Sequence, residues 1–288
     1  MGSLATHFFA FLFFFPIGIR RLLCSFSLYL KNPCVYRSKT WYMSEPRWKN
    51  IDLYFLLIAL PIASFSEIFF FLTFSGQPTH RFAFIQQAAV NSLFWVVVVL
   101  VIIRENIDPS LIHEGLVFVF AGIVFLIEYS MMGKGISGLG GRVYELLGSL
   151  TLLCAAACFY LSFRPTAFLA EVALSSGLIF KGTWILQAAL SLYSDTFSLK
   201  GCRKISLFPA QAITDVQCDL EDDRLRGVAL MNLLFLLHFI GIVIMSFSLF
   251  GALSWNRNLR CGEGSGPSLA DVDSESMLIR PLPEFELE

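Results

Sequence analysis

The sequence predicts an all-α fold, a polytopic membrane helix bundle with seven transmembrane helices, on three observations. Seven apolar stretches, about 5–23, 51–73, 82–103, 111–131, 143–163, 167–193 and 228–253, punctuate the 288 residues. Each is long enough, or nearly so, to cross a bilayer, which takes about 20 mainly apolar residues at 1.5 Å of rise each. Hydrophobic residues make up 56% of the chain, with 30 Phe, and charged residues 15%. Soluble domains carry about 25% charged residues. The basic residues collect between the stretches, above all after the first.

The apolar residues 4–19 lack a basic segment before them, and Arg20–Arg21 follow them, so the first stretch reads as a retained anchor and not as a cleaved signal. Met1–Thr6 matches the N-myristoylation pattern, but that modification needs a cytosolic N-terminus. The loop after it holds Arg20, Arg21, Lys31, Arg37, Lys39, Arg47 and Lys49. Placing this loop in the cytosol puts twelve basic residues inside and eight outside. The N-terminus is then outside or lumenal and the C-terminus cytosolic. Trp41, Tyr42 and Trp48 among the basic residues suit an interfacial belt, and Pro33 predicts the end of a helical continuation through Leu28–Lys31.

Between the fourth and fifth stretches, Gly133, Gly135 and Gly138 spell G-x-G-x-x-G. That fingerprint carries meaning only after a strand and before a helix in a βαβ unit, so here it predicts a tight, flexible connector. The loop at 194–227 has room for structure of its own and contains Cys202 and Cys218 on the predicted lumenal side, where an oxidising compartment permits a disulfide. Its acidic run, Glu221–Asp223 before Arg224 and Arg226, reads as a solvated face. Cys24, Cys34 and Cys261 lie beside membrane ends, where S-palmitoylation is chemically open; Cys154 and Cys158 read as small core residues. Residues 254–288 are rich in Gly, Ser, Pro and acids and predict a disordered, acidic, cytosolic tail, within which Glu275–Ile279 loosely matches a sorting signal.

Ionisable groups within the spans are the candidate site, because a charge in hydrocarbon costs about 2.5–3.5 kcal/mol on insertion scales. Lys181 falls at the middle of the sixth span; His238 and Asn91 are near the midplane of the seventh and third. Glu67, Gln86, Gln87, Glu128 and Glu145 belong to the leaflet half nearer the N-terminus, and His113, Glu114 and Glu171 to the other. The expected arrangement is a polar cavity in which Lys181 pairs with Glu67, with His238 as a titratable neighbour and Asn91, Glu128 and Glu145 around them. The plainer reading makes Glu128 and Glu145 interfacial and the amides ordinary interhelical hydrogen-bonding groups.

No metal-ligand spacing connects the four histidines, and no nucleophile–base–acid pattern is present. Neither a cofactor nor a catalytic residue is therefore expected. A net charge of −1 argues against nucleic acid, leaving the lipid bilayer and protein partners of the 194–227 loop and tail.

The chain resembles the transmembrane-protein-45-like family, particularly its plant branch, whose biochemical role is undefined. The resemblance runs from His7 and Gly18, through Tyr36-Arg37-Ser38-Lys39-Thr40, to Phe180-Lys181 and Gly182-Thr183-Trp184-Ile185-Leu186-Gln187, and to His238. It implies a seven-span membrane protein and names no substrate. Family members look His-rich after the fourth span, where this chain has Met131-Met132-Gly133-Lys134-Gly135. A non-enzymatic scaffold, sensor or stress-linked component is the expectation. The alternative is a proton-coupled transporter or channel using the Lys/Glu/His cluster, though no inverted repeat is visible. An intramembrane enzyme built on a desolvated lysine and a seven-helix receptor have less to rest on.

Overall fold

The computed structural model describes residues 4–42, 51–73, 78–106, 112–132, 136, 138–194, 201–206 and 214–256. The tail beyond 256, with Cys261, lies outside the described residues, as do Gly2, Trp48, Gly133 and Gly135.

Seven long helices form within the described residues: α1 (Leu4–Lys31), α2 (Ile51–Thr73), α3 (Pro78–Asn106), α4 (Glu114–Met131), α5 (Leu139–Phe163), α6 (Phe168–Tyr193) and α7 (Glu221–Trp255). All seven are long and apolar enough to cross a membrane. Several outrun the predicted spans. Helix α1 continues through Arg20 and Arg21 to Lys31, where Asn32 and Pro33 end it, so those arginines are helical and not loop residues. Helix α7 starts at the acidic run, whose Glu221, Asp222 and Asp223 fill the first turn, where carboxylates face the positive end of the helix dipole.

Sequential antiparallel packing places one end of the bundle at His7, Thr73, Met131, Leu139, Tyr193 and Glu221, called here the first face. Arg21, Ile51, Glu114, Phe163, Phe168 and Trp255 mark the second. Helix α6 is the buried axis, packed between α1 and α5. Glycines permit the α1–α6 approach: a Cβ at Gly18 would sit 2.7 Å from the Ile179 backbone N, and one at Gly182 2.9 Å from the Phe15 backbone N. Helices α2 and α3 pair as an antiparallel hairpin, joined to the rest where α3 packs on α4 and where Phe94 meets Phe13 and Phe14 of α1. Helix α7 buries only Gly227, Met231, Ser246 and Leu253, leaving most of its apolar surface for lipid.

The long loop carries the antiparallel strands β1 (Cys202–Ser206) and β2 (Thr214–Cys218), with Cys202 opposite Cys218 and a disulfide joining them. This hairpin changes the reading of the glycine connector. Leu139, Gly140 and Gly141 already belong to α5, and the buried Asp215 of β2 caps that helix. Its carboxylate accepts from Gly138 N at 2.9 Å and Gly140 N at 3.1 Å, satisfying donors that a helix start leaves open. The glycines admit the carboxylate to the backbone, and that end of the connector is pinned.

Candidate functional site

Polar groups line the bundle at three depths. At the first face, His7 Nε2 lies 3.1 Å from the Tyr144 hydroxyl, and its ring centroid is 5.4 Å from that of Tyr193. Gln187 donates to Ser191 at 3.2 Å one turn along α6. Glu67 closes the buried stripe of α2, after Leu53, Leu56, Leu60 and Ser64, and its Oε2 is buried without a hydrogen-bond partner.

The middle level holds Lys181, which has no exposed surface. Its ammonium donates to Glu128 of α4 and sits 4.4 Å from the Phe14 ring centroid and 5.0 Å from that of Phe125. Phe94 completes an aromatic collar, 5.8 Å from Phe14 and 5.4 Å from Phe125. Ring faces attract a cation and exclude water, so the charge is compensated and sealed together. Helices α4 and α6 are not close packing neighbours, and this ion pair ties them across the core.

This geometry corrects the expected pairing. Glu67 was the predicted partner because it shares the right leaflet half, but α2 packs on α3 and the Lys181 ammonium reaches Glu128 of α4 instead. His238 is separated from the ammonium as well. It stacks on Phe180 with centroids 6.4 Å apart, meets Trp184 edge-on at 5.7 Å, and its Nδ1 lies 2.9 Å from the Leu234 carbonyl oxygen. Asn91 accepts from Gln87 within α3 at 3.2 Å, and Glu145 pairs with Arg142 at 2.7 Å on the exposed face of α5. The six residues expected around one cavity thus occupy separate places, with Lys181 and Glu128 alone joined.

At the second face lies a buried network that sequence reasoning did not assemble. Arg21 donates to Glu171 at 2.8 Å and to the Thr40 and Lys39 carbonyls at 2.8 and 3.2 Å. Ser38 adds a hydroxyl bond to Glu171, and its backbone N donates to the Pro165 carbonyl at 2.7 Å. The Thr40 N–H donates to Glu114 at 2.9 Å, while Arg104 reaches Glu114 at 3.6 Å and the Thr40 hydroxyl at 3.0 Å. Tyr36–Thr40, one of the elements behind the family resemblance, is therefore a segment folded under the bundle and held by charged groups of α1, α3, α4 and α6. The available signal was Glu114 and Glu171 sharing a depth with this loop. Burial raises the phenol pKa of both Tyr36 and Tyr42, and Glu171 adds to the shift in each.

Among the described residues, no group of three or more His, Cys, Asp or Glu side chains is placed to hold a metal ion.

Fold and polar interior together define a multi-pass membrane protein with compensated charges in its core. Residues 114–251 match the model of a family of unknown function (DUF716), which is the transmembrane-protein-45-like family. That match covers α4, α5, α6 and most of α7, including Glu128, Lys181 and His238. No curated protein matches the chain significantly.

Proposed function

We propose that this chain is a plant-type transmembrane-protein-45-like protein acting as a non-enzymatic membrane scaffold or sensor, in which the intramembrane charges hold the bundle and carry no cargo. The observation behind this reading is the enclosure of Lys181: no exposed surface, one carboxylate partner and two ring faces. A conducted ion or proton needs a hydrated route to such a group, and the aromatic collar fills that position. In this reading the outward-facing work falls to the 194–227 segment, with its hairpin, and to the C-terminal tail, whose polar sequences suit protein partners. The bilayer is the partner of everything between.

The N-terminus is assigned outside or in a lumen, and the C-terminus to the cytosol. The Cys202–Cys218 disulfide supports this, because the hairpin shares the His7 face and disulfides persist in oxidising compartments. The excess of basic residues on the opposite side agrees with it.

A membrane-permeant acylating reagent, read by peptide mass spectrometry, tests the enclosure. Lys31, on the exposed surface, is expected to be modified in the folded protein while Lys181 stays free of label until unfolding. Acylation of Lys181 in the folded protein would mean a wetted route, and would favour the second reading, a proton-coupled carrier. That reading has one observation of its own, the unpartnered Glu67 oxygen at the level of the His7–Tyr144 pair.

A further inference from the structure

Helices α5, α6 and α7 diverge around an apolar crevice of about 540 Å³, within the 300–1,000 Å³ typical of small-molecule sites. Along α6 its lining runs from Phe168 to Phe180, about 18 Å at 1.5 Å per residue. One leaflet supplies about 15 Å of hydrocarbon. The crevice therefore spans a single leaflet, from the second face to just past the midplane. It is apolar and aromatic, with Phe180, Phe239 and Phe247 among its walls. Leu169 (80% exposed) and Phe247 (75%) mark its open side, which faces lipid and not water.

Few polar groups interrupt the lining, and those present are already engaged. Ser149 donates to the Leu146 carbonyl at 2.6 Å, Ser246 to the Ile242 carbonyl at 2.8 Å, and the Ser176 and Ser246 hydroxyls lie 3.3 Å apart. A ligand here needs no hydrogen bonds of its own along its length. On the second face Arg164, the C-cap of α5, lies four residues before Phe168 of the lining, and its carbonyl accepts from Ala167 N at 3.0 Å. Its guanidinium is exposed and pairs with no acid among the described residues, whereas Arg20, Arg21 and Arg104 on the same face are all paired with carboxylates. An exposed cation on the face where a leaflet-long apolar slot begins matches a phosphate on a hydrocarbon tail.

We propose that this crevice is a binding site for one phospholipid of the second-face leaflet, with an acyl chain between α5, α6 and α7 and its phosphate at Arg164. The site stands independently of the function proposed above, since it uses none of the buried charges.

The test uses the full-length protein in phosphatidylcholine nanodiscs containing a phosphatidylcholine with a diazirine midway along one acyl chain. Photolysis and peptide mass spectrometry are expected to find adducts on the crevice walls enriched about fivefold over the exposed α2 face at Ile62, Phe65 and Phe69, because an enclosing site holds its ligand longer than annular contact does. Ala173→Trp and, as a second filling variant, Val243→Trp should each remove most crevice adducts and leave those on α2 unchanged. Arg164→Gln should lower crevice labelling by the phospholipid but not by a diacylglycerol carrying the same chain. Even labelling of the two faces in the wild type would overturn the site, and it decides the matter should the filling variants fail to fold. Undiminished crevice labelling in folded filling variants would overturn it too, and unchanged phospholipid labelling in Arg164→Gln would remove the phosphate contact.

Discussion

Removing either half of the Lys181–Glu128 pair should destabilise the bundle, and removing both should restore most of the loss. The two single variants differ in what they leave behind. Glu128→Leu strands an ammonium with no exposed surface, whose remaining partners are the Phe14 and Phe125 rings. Lys181→Met strands a carboxylate whose side chain is 14% exposed and which can take up a proton. Breaking a buried pair costs about 3–5 kcal/mol, and a desolvated cation–π contact is worth about 2 kcal/mol. Glu128→Leu is expected to cost about 3–5 kcal/mol, and Lys181→Met, which leaves a carboxylate able to take up a proton, about 2–3 kcal/mol. The double variant Lys181→Met/Glu128→Leu, which leaves no charge in the collar, should fall within about 1 kcal/mol of wild type, since apolar replacement of a buried pair is often neutral. The assay is equilibrium unfolding in mixed detergent micelles, run as a double-mutant cycle. Additive losses in the double variant, or single variants as stable as wild type, would refute the pairing and the enclosure on which it rests.

Other expectations follow from the packing around this centre. Gly18→Ala and Gly182→Ala should each cost about 1–3 kcal/mol by overpacking, because each Cβ would fall inside the opposing backbone's contact distance. Their double variant should cost less than the sum, one separation of α1 from α6 relieving both; additivity in unfolding experiments would argue against a shared interface. Asp215→Ala removes the cap of α5 and should cost about 1 kcal/mol, with faster amide exchange at Gly138 and Gly140, whose N–H groups it accepts. At high pH the sign is fixed by the raised phenol pKa values. Tyr36 and Tyr42 stay protonated in the fold while the unfolded chain ionises above its ordinary 10.0. Stability should therefore hold below that pH and fall above it, and phenolate absorbance should show both groups titrating late or only on unfolding.

How much of this was readable from the chain depends on which physical signal each feature leaves. Span number and depth are one-dimensional properties, so hydropathy located all seven helices, placed Lys181 at the middle of its span and put Glu128 in the leaflet half nearer the N-terminus. Azimuth is not one-dimensional. With apolar residues all round each helix, no periodic stripe says which face of α6 meets which neighbour, and Glu67 at the right depth stood in for Glu128. The same limit hid the second-face network: Arg21 was read as a topology signal because its partner Glu171 lies 150 positions away. Helix ends misled in a different way. Charged residues at Arg20–Arg21 and Glu221–Arg226 look like loops in a hydropathy profile, yet helices run on through the interface. The glycine connector was legible as backbone without side chains, while its purpose, admitting the Asp215 carboxylate, depended on a hairpin 75 residues downstream. For Cys202 and Cys218 the predicted compartment permits a disulfide and no more, and the hairpin supplies the register that puts them opposite one another.

Proton flux into liposomes bearing the purified protein, followed with an internal pH dye, tests the central claim most directly. Wild type and the double variant Lys181→Met/Glu128→Leu are compared, both checked for folding. Background-level traces from both are predicted, as expected for a charge pair that is sealed and structural. Flux in the wild type that disappears in the folded double variant would contradict the account and establish a conduction route through Lys181 and Glu128.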